Sequence, residues 1–339
     1  MTTVLHLIDS RTPPAAAGLL ELLRRHRPND LVASVGSLER EDLPDPDPVI
    51  PRPWPLLRTA ASRIGKLAHE RGAAVIHCWT TELAGQASAA GLPMCVSVLA
   101  PPSAASLKDF VAPAKKAVFL APSPYLRQVL LAAGVDDATI IVMPPAAEPV
   151  TKVARQAAQP RSRLVLIAPP QHDEDQGPYW AVWALGLIMH VDNVAELVIP
   201  GGGPAARRAE DLARANNMLD RVRLVDFSEV HQAWANADAA VLYDRAGIGL
   251  CGLAQAVAAG VPVIAAAAGE LAEPLVHERT ALLAPPAKAL MLARAIWRLV
   301  QDRDLGPRLA QQARAELAHL TDVPAWLGAM VSLYGRLET

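Results

Sequence analysis

The sequence predicts an α/β protein built from two doubly wound domains, each a parallel sheet between helices. Short apolar runs alternate with longer amphipathic stretches along nearly the whole chain, which is typical of parallel strands joined by crossover helices. The alternation stops at Ala146–Arg163, which contains two prolines and has no convincing period, and then restarts. A chain of 339 residues is long enough for two domains of ordinary size.

The apolar runs place six strands in each half. The predicted strands are Val4–Ile8, Leu31–Val35, Ala74–His77, Met94–Leu99, Ala117–Leu120 and Ile140–Met143, then Leu164–Ala168, Glu196–Ile199, Val222–Val225, Ala239–Tyr243, Val261–Ala265 and Ala281–Leu283. Helices are predicted at Ala15–Arg25, Leu56–Arg71, Pro124–Ala133 and Ala205–Asn217, with a helical tail over Ala287–Leu337. Asp45–Pro55 is expected to be a surface loop because of its prolines.

These elements define the expected domains. Residues 1–147 form the first, 148–162 a linker, 163–320 the second, and 321–339 a helix that crosses back toward the first domain. Two such domains are expected to face each other across a cleft, with ligands at the carboxyl ends of the strands.

Composition excludes several classes of protein. A net charge of -2 and a pI near 6.5 give no support for a nucleic-acid partner. Three cysteines in apolar settings predict free thiols rather than a disulfide framework, and the N-terminus lacks a signal-peptide pattern. The apolar stretch Leu250–Gly269 is interrupted by Gln255, Gly260 and Pro262, so no transmembrane segment is expected. The free thiols predict a reducing, cytoplasmic location.

One strand runs directly into three glycines. Gly201, Gly202 and Gly203 follow the strand at Leu197–Pro200 and open the next helix. Glycine lets backbone amides approach a phosphate or sugar closely, and a helix N-terminus favours an anion. Glycines at such a turn also occur for packing alone, so both interpretations stay open at this point.

The segment Leu250–Glu273, LCGLAQAVAAGVPVIAAAAGELAE, is the most informative in the chain. It resembles the donor-site segment of retaining glycosyltransferases of the GT-B architecture, family 4. That family has Glu-x7-Glu, then Ala-Met-Ala-x-Gly-x-Pro-Val-Ile-Ala, then Gly-Gly-x-x-Glu. Gln255–Ala265 and Gly269–Glu273 keep this framework here, whereas most of its charged residues are missing.

The resemblance implies a GT-B fold and a nucleotide-sugar site in the second domain. Residues at the matching positions would contact the diphosphate, the base and the ribose hydroxyls. In the family the base lies at the turn after the strand that corresponds to Val222–Val225 here. The matching residues are Gly201, Gly202, Gly203, Asp226, Phe227, Gly249, Leu250 and Gln255. The implied reaction is transfer of a sugar from a UDP- or GDP-linked donor to an acceptor with retention, without a cofactor or a metal ion.

The chain differs from the family at the positions of the catalytic and diphosphate-binding residues. The family's acid falls on Ala246 or Gly247, and its Arg–Lys diphosphate clamp falls on Ala168–Gln171 and Asp175–Gly177, where neither cation is present. The N-terminal glycine pair is Pro13-Pro14, and the family's active-site histidine falls near Leu99. Each missing donor of this kind removes a charge contact that the reaction needs.

Four residues are candidates to substitute for the missing groups: His77, Asp244, Arg245 and Glu273. For His77, a packed histidine is the alternative to a catalyst. The acidic run His172–Asp175 is interpreted as a solvated turn rather than a metal site, so no catalytic residue and no metal ligand is assigned.

Three functions remain. The chain is a glycosyltransferase with altered donor chemistry, a catalytically inactive relative that binds a ligand or a partner protein, or a nucleotide-sugar epimerase of similar fold. An epimerase would need a carboxylate cluster, which the sequence does not display.

Overall fold

The computed structural model describes residues 2–9, 12, 14–35, 49–50, 59–102, 117–151, 164–169, 177–191, 194–201, 204–226 and 229–338. The chain divides into two compact units. Unit 1 is Met1–Pro144 with Pro324–Thr339, and unit 2 is Pro145–Val323. Residues 152–163, which include most of the predicted linker, lie outside the described residues.

Unit 1 contains a seven-stranded parallel sheet of order β3-β2-β1-β4-β5-β6-β7. Its strands are β1 Val4–Ile8, β2 Leu31–Val35, β3 Val49–Ile50, β4 Val75–Cys78, β5 Met94–Ser97, β6 Ala117–Ala121 and β7 Ile140–Val142. The described helices of this unit are α1 Pro14–His26, α2 Thr59–Glu70, α3 Thr81–Ala87, α4 Pro124–Ala132 and, at the end of the chain, α11 Val323–Glu338.

Unit 2 contains a six-stranded parallel sheet of order β10-β9-β8-β11-β12-β13. Its strands are β8 Leu164–Ile167, β9 Ala195–Pro200, β10 Val222–Val225, β11 Ala239–Leu242, β12 Val263–Ala266 and β13 Leu282–Ala284. The described helices are α5 Pro178–Met189, α6 Pro204–Ala215, α7 Val230–Asn236, α8 Leu250–Ala259, α9 Ala289–Gln301 and α10 Leu305–Glu316.

The two parallel sheets confirm the predicted fold class, and one element corrects the strand prediction. Val49–Ile50 pairs with Ser34–Val35 as a short edge strand, where a surface loop was expected. The rest of Asp45–Pro55 lies outside the described residues. Edge strands are often very short, and prolines are tolerated beside them, so composition alone did not reveal this pairing.

The central strands are buried on both faces. Every residue of β1, β4, β5, β11 and β12 is buried, which is why these strands read as continuous apolar runs in the sequence. Cys78 and Cys95 lie in this core as free thiols, and burial raises the pKa of both. Within the described part of the chain, no helix has the length and apolarity needed to cross a membrane.

A polar cluster lies inside unit 1 and involves the C-terminal helix. Both ring nitrogens of His77 are hydrogen-bonded, Nδ1 to the Tyr334 hydroxyl at 2.7 Å and Nε2 to the Ser97 hydroxyl at 2.8 Å. The His77 ring stacks on Trp79, with ring centroids 4.5 Å apart. Tyr334 lies on α11, so a strand of the sheet and the last helix share this contact.

An ion pair continues the cluster. Arg27 Nη2 donates to Asp30 Oδ1 at 3.0 Å, and the Arg27 guanidinium lies 5.3 Å from the centre of the Tyr334 ring. His6 Nε2 lies 3.5 Å from Asp30 Oδ2. Burial would raise the pKa of Asp30, but its contact with His6 and the hydrogen bonds it accepts from Arg27 outweigh that effect and the pKa is lowered.

We expect acid to destabilise unit 1. Burial lowers the pKa of His6 and of His77, so the unfolded chain, with a histidine pKa near ~6.5, binds more protons than the folded one. The stability linked to these rings is therefore complete above about pH 6.5 and is lost as the pH falls through the folded-state values. Hydrogen exchange of the β1 and β4 amides, corrected for intrinsic rates, should show less protection near pH 5 than near pH 7.

Histidine variants provide the control. Replacing buried His6 by Asn should reduce this pH dependence, whereas replacing exposed His69 by Gln should leave it unchanged. Equal pH dependence of amide protection in the wild type and in His6→Asn would show that His6 does not cause the acid destabilisation.

Candidate functional site

Among the described site residues of unit 2, Gly201, Asp226 and Gly249 follow the carboxyl ends of strands, and Leu250 and Gln255 lie on α8. The strand order reverses between β8 and β11, because β9 and β10 extend to one side and β12 and β13 to the other. Ala239 pairs with Leu166 of β8, and Ala240 pairs with Val263 of β12. Ligands of doubly wound sheets bind at such a reversal, beyond the carboxyl ends of the strands.

The loops that follow β11 and β12 pack backbone against backbone. Gly247 has φ +67°, and a Cβ on it would lie 1.8 Å from the Ala268 carbonyl oxygen. Gly269 has φ +51°, and a Cβ there would lie 1.8 Å from the Ala246 carbonyl oxygen. The Leu271 amide also donates to the Gly247 carbonyl at 3.0 Å. Glycine is therefore required at both positions, for conformation and for space.

The first turn of α8 begins at these loops. Gly249 is the N-cap residue with φ +155°, and its lack of a side chain leaves the helix without a local cap. The Glu270 carboxylate supplies the acceptor instead. Its Oε1 accepts from the Gly249 amide at 2.6 Å and from the Leu250 amide at 2.8 Å. Glu270 is 1% exposed, so this carboxylate is buried against the amides assigned to a diphosphate.

Sequence reasoning missed Glu270. The residue follows Gly269 in the segment Gly269–Glu273, and so stands at the second glycine of the Gly-Gly-x-x-Glu pattern. The exchange of a glycine for a carboxylate beside a predicted anion site was a visible signal. The hydrogen-bond partners of Glu270, the amides of Gly249 and Leu250 about twenty residues earlier in the chain, could not be recognised from the sequence.

The other predicted nucleotide contacts are only partly described. Gly201 has φ +81° and donates its amide to the Val225 carbonyl at 2.8 Å, which fixes the end of β9 against β10. Asp226 is exposed, and its carbonyl accepts from the Glu229 amide at 2.9 Å in a tight turn. Gln255 is half-buried on α8. Gly202, Gly203 and Phe227 lie outside the described residues.

An apolar residue occupies the first part of the expected cation clamp. Pro169 is buried, and its Cγ lies 3.7 Å from the position of a Cβ on Gly252, in the first turns of α8. Proline therefore packs against the helix near the point where the family places a cation. Pro170, Gln171 and Asp175–Gln176 lie outside the described residues, as does the acidic run His172–Asp175.

The candidate substitutes have different surroundings. Asp244 is buried and its Oδ1 accepts from the Ala246 amide at 2.5 Å, so this carboxylate closes the turn after β11. Arg245 and Glu273 are exposed on the loops of unit 2. His77 lies inside unit 1 with both nitrogens hydrogen-bonded, an arrangement typical of a structural histidine. Among the described residues, no group of three or more His, Cys, Asp or Glu could hold a metal ion.

The interlocked glycines give a stability prediction. Gly247→Ala should destabilise unit 2 by more than about 3 kcal/mol, because the new methyl group meets backbone atoms that cannot move independently. Gly260 is a matched control. It also has positive φ, +61°, but its added Cβ would meet nothing closer than an Arg314 side-chain atom at 4.0 Å.

Gly260→Ala should therefore cost only the conformational penalty, about 1–2 kcal/mol. Urea denaturation of both variants measures the difference. Equal reductions of stability in the two would show that the loops after β11 and β12 can separate.

Comparisons with known proteins identify the architecture. Residues 161–302 match the family described as "Glycosyl transferases group 1". Alr3699/HepE of Anabaena, solved with UDP and glucose, is 17% identical over 99% of this chain and 100% of that chain, with a TM-score of 0.80. Sucrose-phosphate synthase of Thermosynechococcus elongatus is 20% identical over 99% of each chain, with a TM-score of 0.72.

A third structure has the same fold. WaaG, a glycosyltransferase involved in lipopolysaccharide biosynthesis, is 12% identical over 98% of this chain and 99% of that chain, with a TM-score of 0.72. No curated protein sequence matches the chain. Residues 161–302 therefore match the glycosyl transferases group 1 family, and the chain has the GT-B glycosyltransferase fold.

Proposed function

We propose that unit 2 binds a nucleotide sugar and that this protein, acting alone, transfers the sugar far more slowly than active members of its family. The observation that carries the second part is Gly247. The family's acid aligns with Ala246 or Gly247, and at Gly247 even a methyl group would lie 1.8 Å from the Ala268 carbonyl oxygen. The loop therefore excludes a carboxylate at Gly247, and at Ala246, the other possible position, the side chain is a methyl group without an acid.

The architecture of unit 2 supports the nucleotide site. Backbone atoms of the segment Asp226–Val230, after β10, would contact the base, and half-buried Gln255 would hydrogen-bond the ribose hydroxyls. An amide side chain both donates and accepts such bonds, although without the strength that a charge adds. HepE was solved with UDP, which makes a UDP-linked sugar the first donor to test.

The scarcity of charged groups supports slow transfer. Sugar transfer releases a nucleoside diphosphate, whose developing charge needs fixed positive or hydrogen-bonding groups. Buried Pro169 stands at one expected cation position, and the amides of Gly249 and Leu250 already bind Glu270. Removing one such electrostatic group from an active site lowers the rate ~10²–10³-fold, although the effects of several removals do not simply add.

The first test measures turnover. Purified protein incubated with UDP-glucose, other UDP sugars and GDP sugars should release nucleoside diphosphate at well below ~1 s⁻¹, the slow end of ordinary enzyme rates. Release at or above that rate would contradict the proposal and favour an active glycosyltransferase. Interconversion of the donor sugar without release would favour the epimerase alternative.

The second test concerns the ribose contact. Gln255→Glu should strengthen UDP binding about fivefold, because a charged acceptor adds about 1 kcal/mol to a hydrogen bond. It should not restore transfer, since the diphosphate groups remain unsupported. Calorimetric titration with UDP measures the affinity.

Gln311→Glu is the matched control. It adds the same charge at an exposed position of α10 and should leave the affinity unchanged. If Gln255→Glu also leaves the UDP affinity unchanged, Gln255 does not contact the nucleotide, and binding of a partner protein becomes the better hypothesis for the function.

A further inference from the structure

We infer that Glu270 is an internal competitor for the diphosphate: its carboxylate holds the two α8 amides that the ligand needs, so anions bind only when it moves away. Glu270 Oε1 lies 2.6 Å from the Gly249 amide nitrogen and 2.8 Å from that of Leu250. The inference takes the identity of the anion, a nucleoside diphosphate, from the proposed function. The contact itself does not depend on that function.

The contact has the properties of an anion site that is already occupied. The amides belong to the N-terminus of a ten-residue helix, where the unpaired N–H groups and the helix dipole favour negative charge. Hydrogen bonds from backbone amides to a carboxylate are among the stronger ones in proteins. The Glu270 carboxylate is buried, so water does not weaken these bonds.

The carboxylate comes from a separate loop. Ordinary helix caps use the residue at the helix start, but Gly249 has no side chain. Glu270 reaches the helix from the end of β12, and the backbone contacts of Gly247 with Ala268 and of Leu271 with Gly247 hold it there. The position of the carboxylate is therefore set by the interlocked loops rather than by the helix sequence.

The Cys251 thiol, in the first turn of α8, is affected by the charge of Glu270. Burial raises the pKa of the Cys251 thiol, and the negative charge of Glu270 raises it further. An anion placed at the Gly249 and Leu250 amides would lie beside the Glu270 carboxylate, which already accepts from both, and would meet the same kind of repulsion. A diphosphate and the Glu270 carboxylate therefore cannot share the site.

Competition has a measurable consequence. When only a small fraction of molecules has the site open, the apparent affinity of a ligand falls by that fraction. In the wild type the diphosphate should consequently add little to binding, and UDP and uridine should have affinities within about threefold of each other. Removing the negative charge should release the site.

The test uses Glu270→Gln and inorganic pyrophosphate as the probe. Glutamine keeps the size of the side chain and one acceptor oxygen but competes as a neutral group. Pyrophosphate should bind this variant at least about tenfold more tightly than it binds the wild type, by calorimetric titration. Glu278→Gln is the control, because it removes the same charge from an exposed turn of unit 2 and should not change the affinity.

The pyrophosphate affinity, read together with the thermal midpoint, separates competition from simple capping. Both explanations predict a lower midpoint for Glu270→Gln, but only competition predicts tighter pyrophosphate binding. A lower midpoint with unchanged affinity would overturn the inference. If Glu270→Gln does not fold, the wild type still decides, because UDP binding at least about tenfold tighter than uridine would show that the amides are accessible.

Uridine and UDP distinguish this inference from the proposed function. If pyrophosphate binds more tightly to Glu270→Gln but neither uridine nor UDP binds any form, the competition stands and the nucleotide function fails. If uridine binds equally to both forms while UDP and pyrophosphate gain nothing from the substitution, the nucleotide function stands and the competition is wrong.

Discussion

The close backbone contact between the loops after β11 and β12 determines which carboxylates unit 2 can place near the start of α8. Two glycines with positive φ make it, and each lies where the other loop leaves no room for a methyl group. The contact removes the space for an acid at Gly247, and it directs the Glu270 side chain toward the start of α8. The absence of one carboxylate and the presence of another thus follow from the same packing.

The interior of unit 1 uses polar residues for a structural purpose. An unpaired buried polar atom costs about 1–3 kcal/mol, so hydrogen bonds to both nitrogens of buried His77 stabilise the sheet. Tyr334 and Ser97 satisfy His77, and Arg27 and Asp30 extend the cluster to the first helix–strand connection. Because Tyr334 lies on the last helix, this cluster holds the end of the chain to the first sheet.

The sequence predicted the sheets well because buried parallel strands are local signals. Val4–Ile8, Leu31–Val35 and Val222–Val225 have the same bounds in the structure as in the prediction. Val49–Ile50 was missed because a two-residue edge strand among prolines has no period to detect. The site was harder to predict because its decisive contacts join distant residues: the bonds of Glu270 to the start of α8 depend on how two loops meet, and the partner of His77 lies 257 residues later in the chain.

The missing cations and the internal carboxylate are best explained together. Amides at the start of a buried helix need an acceptor whether or not a ligand is present, and in a nucleotide-sugar transferase the diphosphate can serve as that acceptor. A chain that binds a diphosphate only weakly, as we propose for this one, would leave these amides unpaired for most of the time. Glu270 removes that cost by accepting from both amides, and buried Pro169 packs against the first turns of α8. Restoring a cation at Pro169 alone would therefore leave the amides of Gly249 and Leu250 bound to Glu270, as they are now.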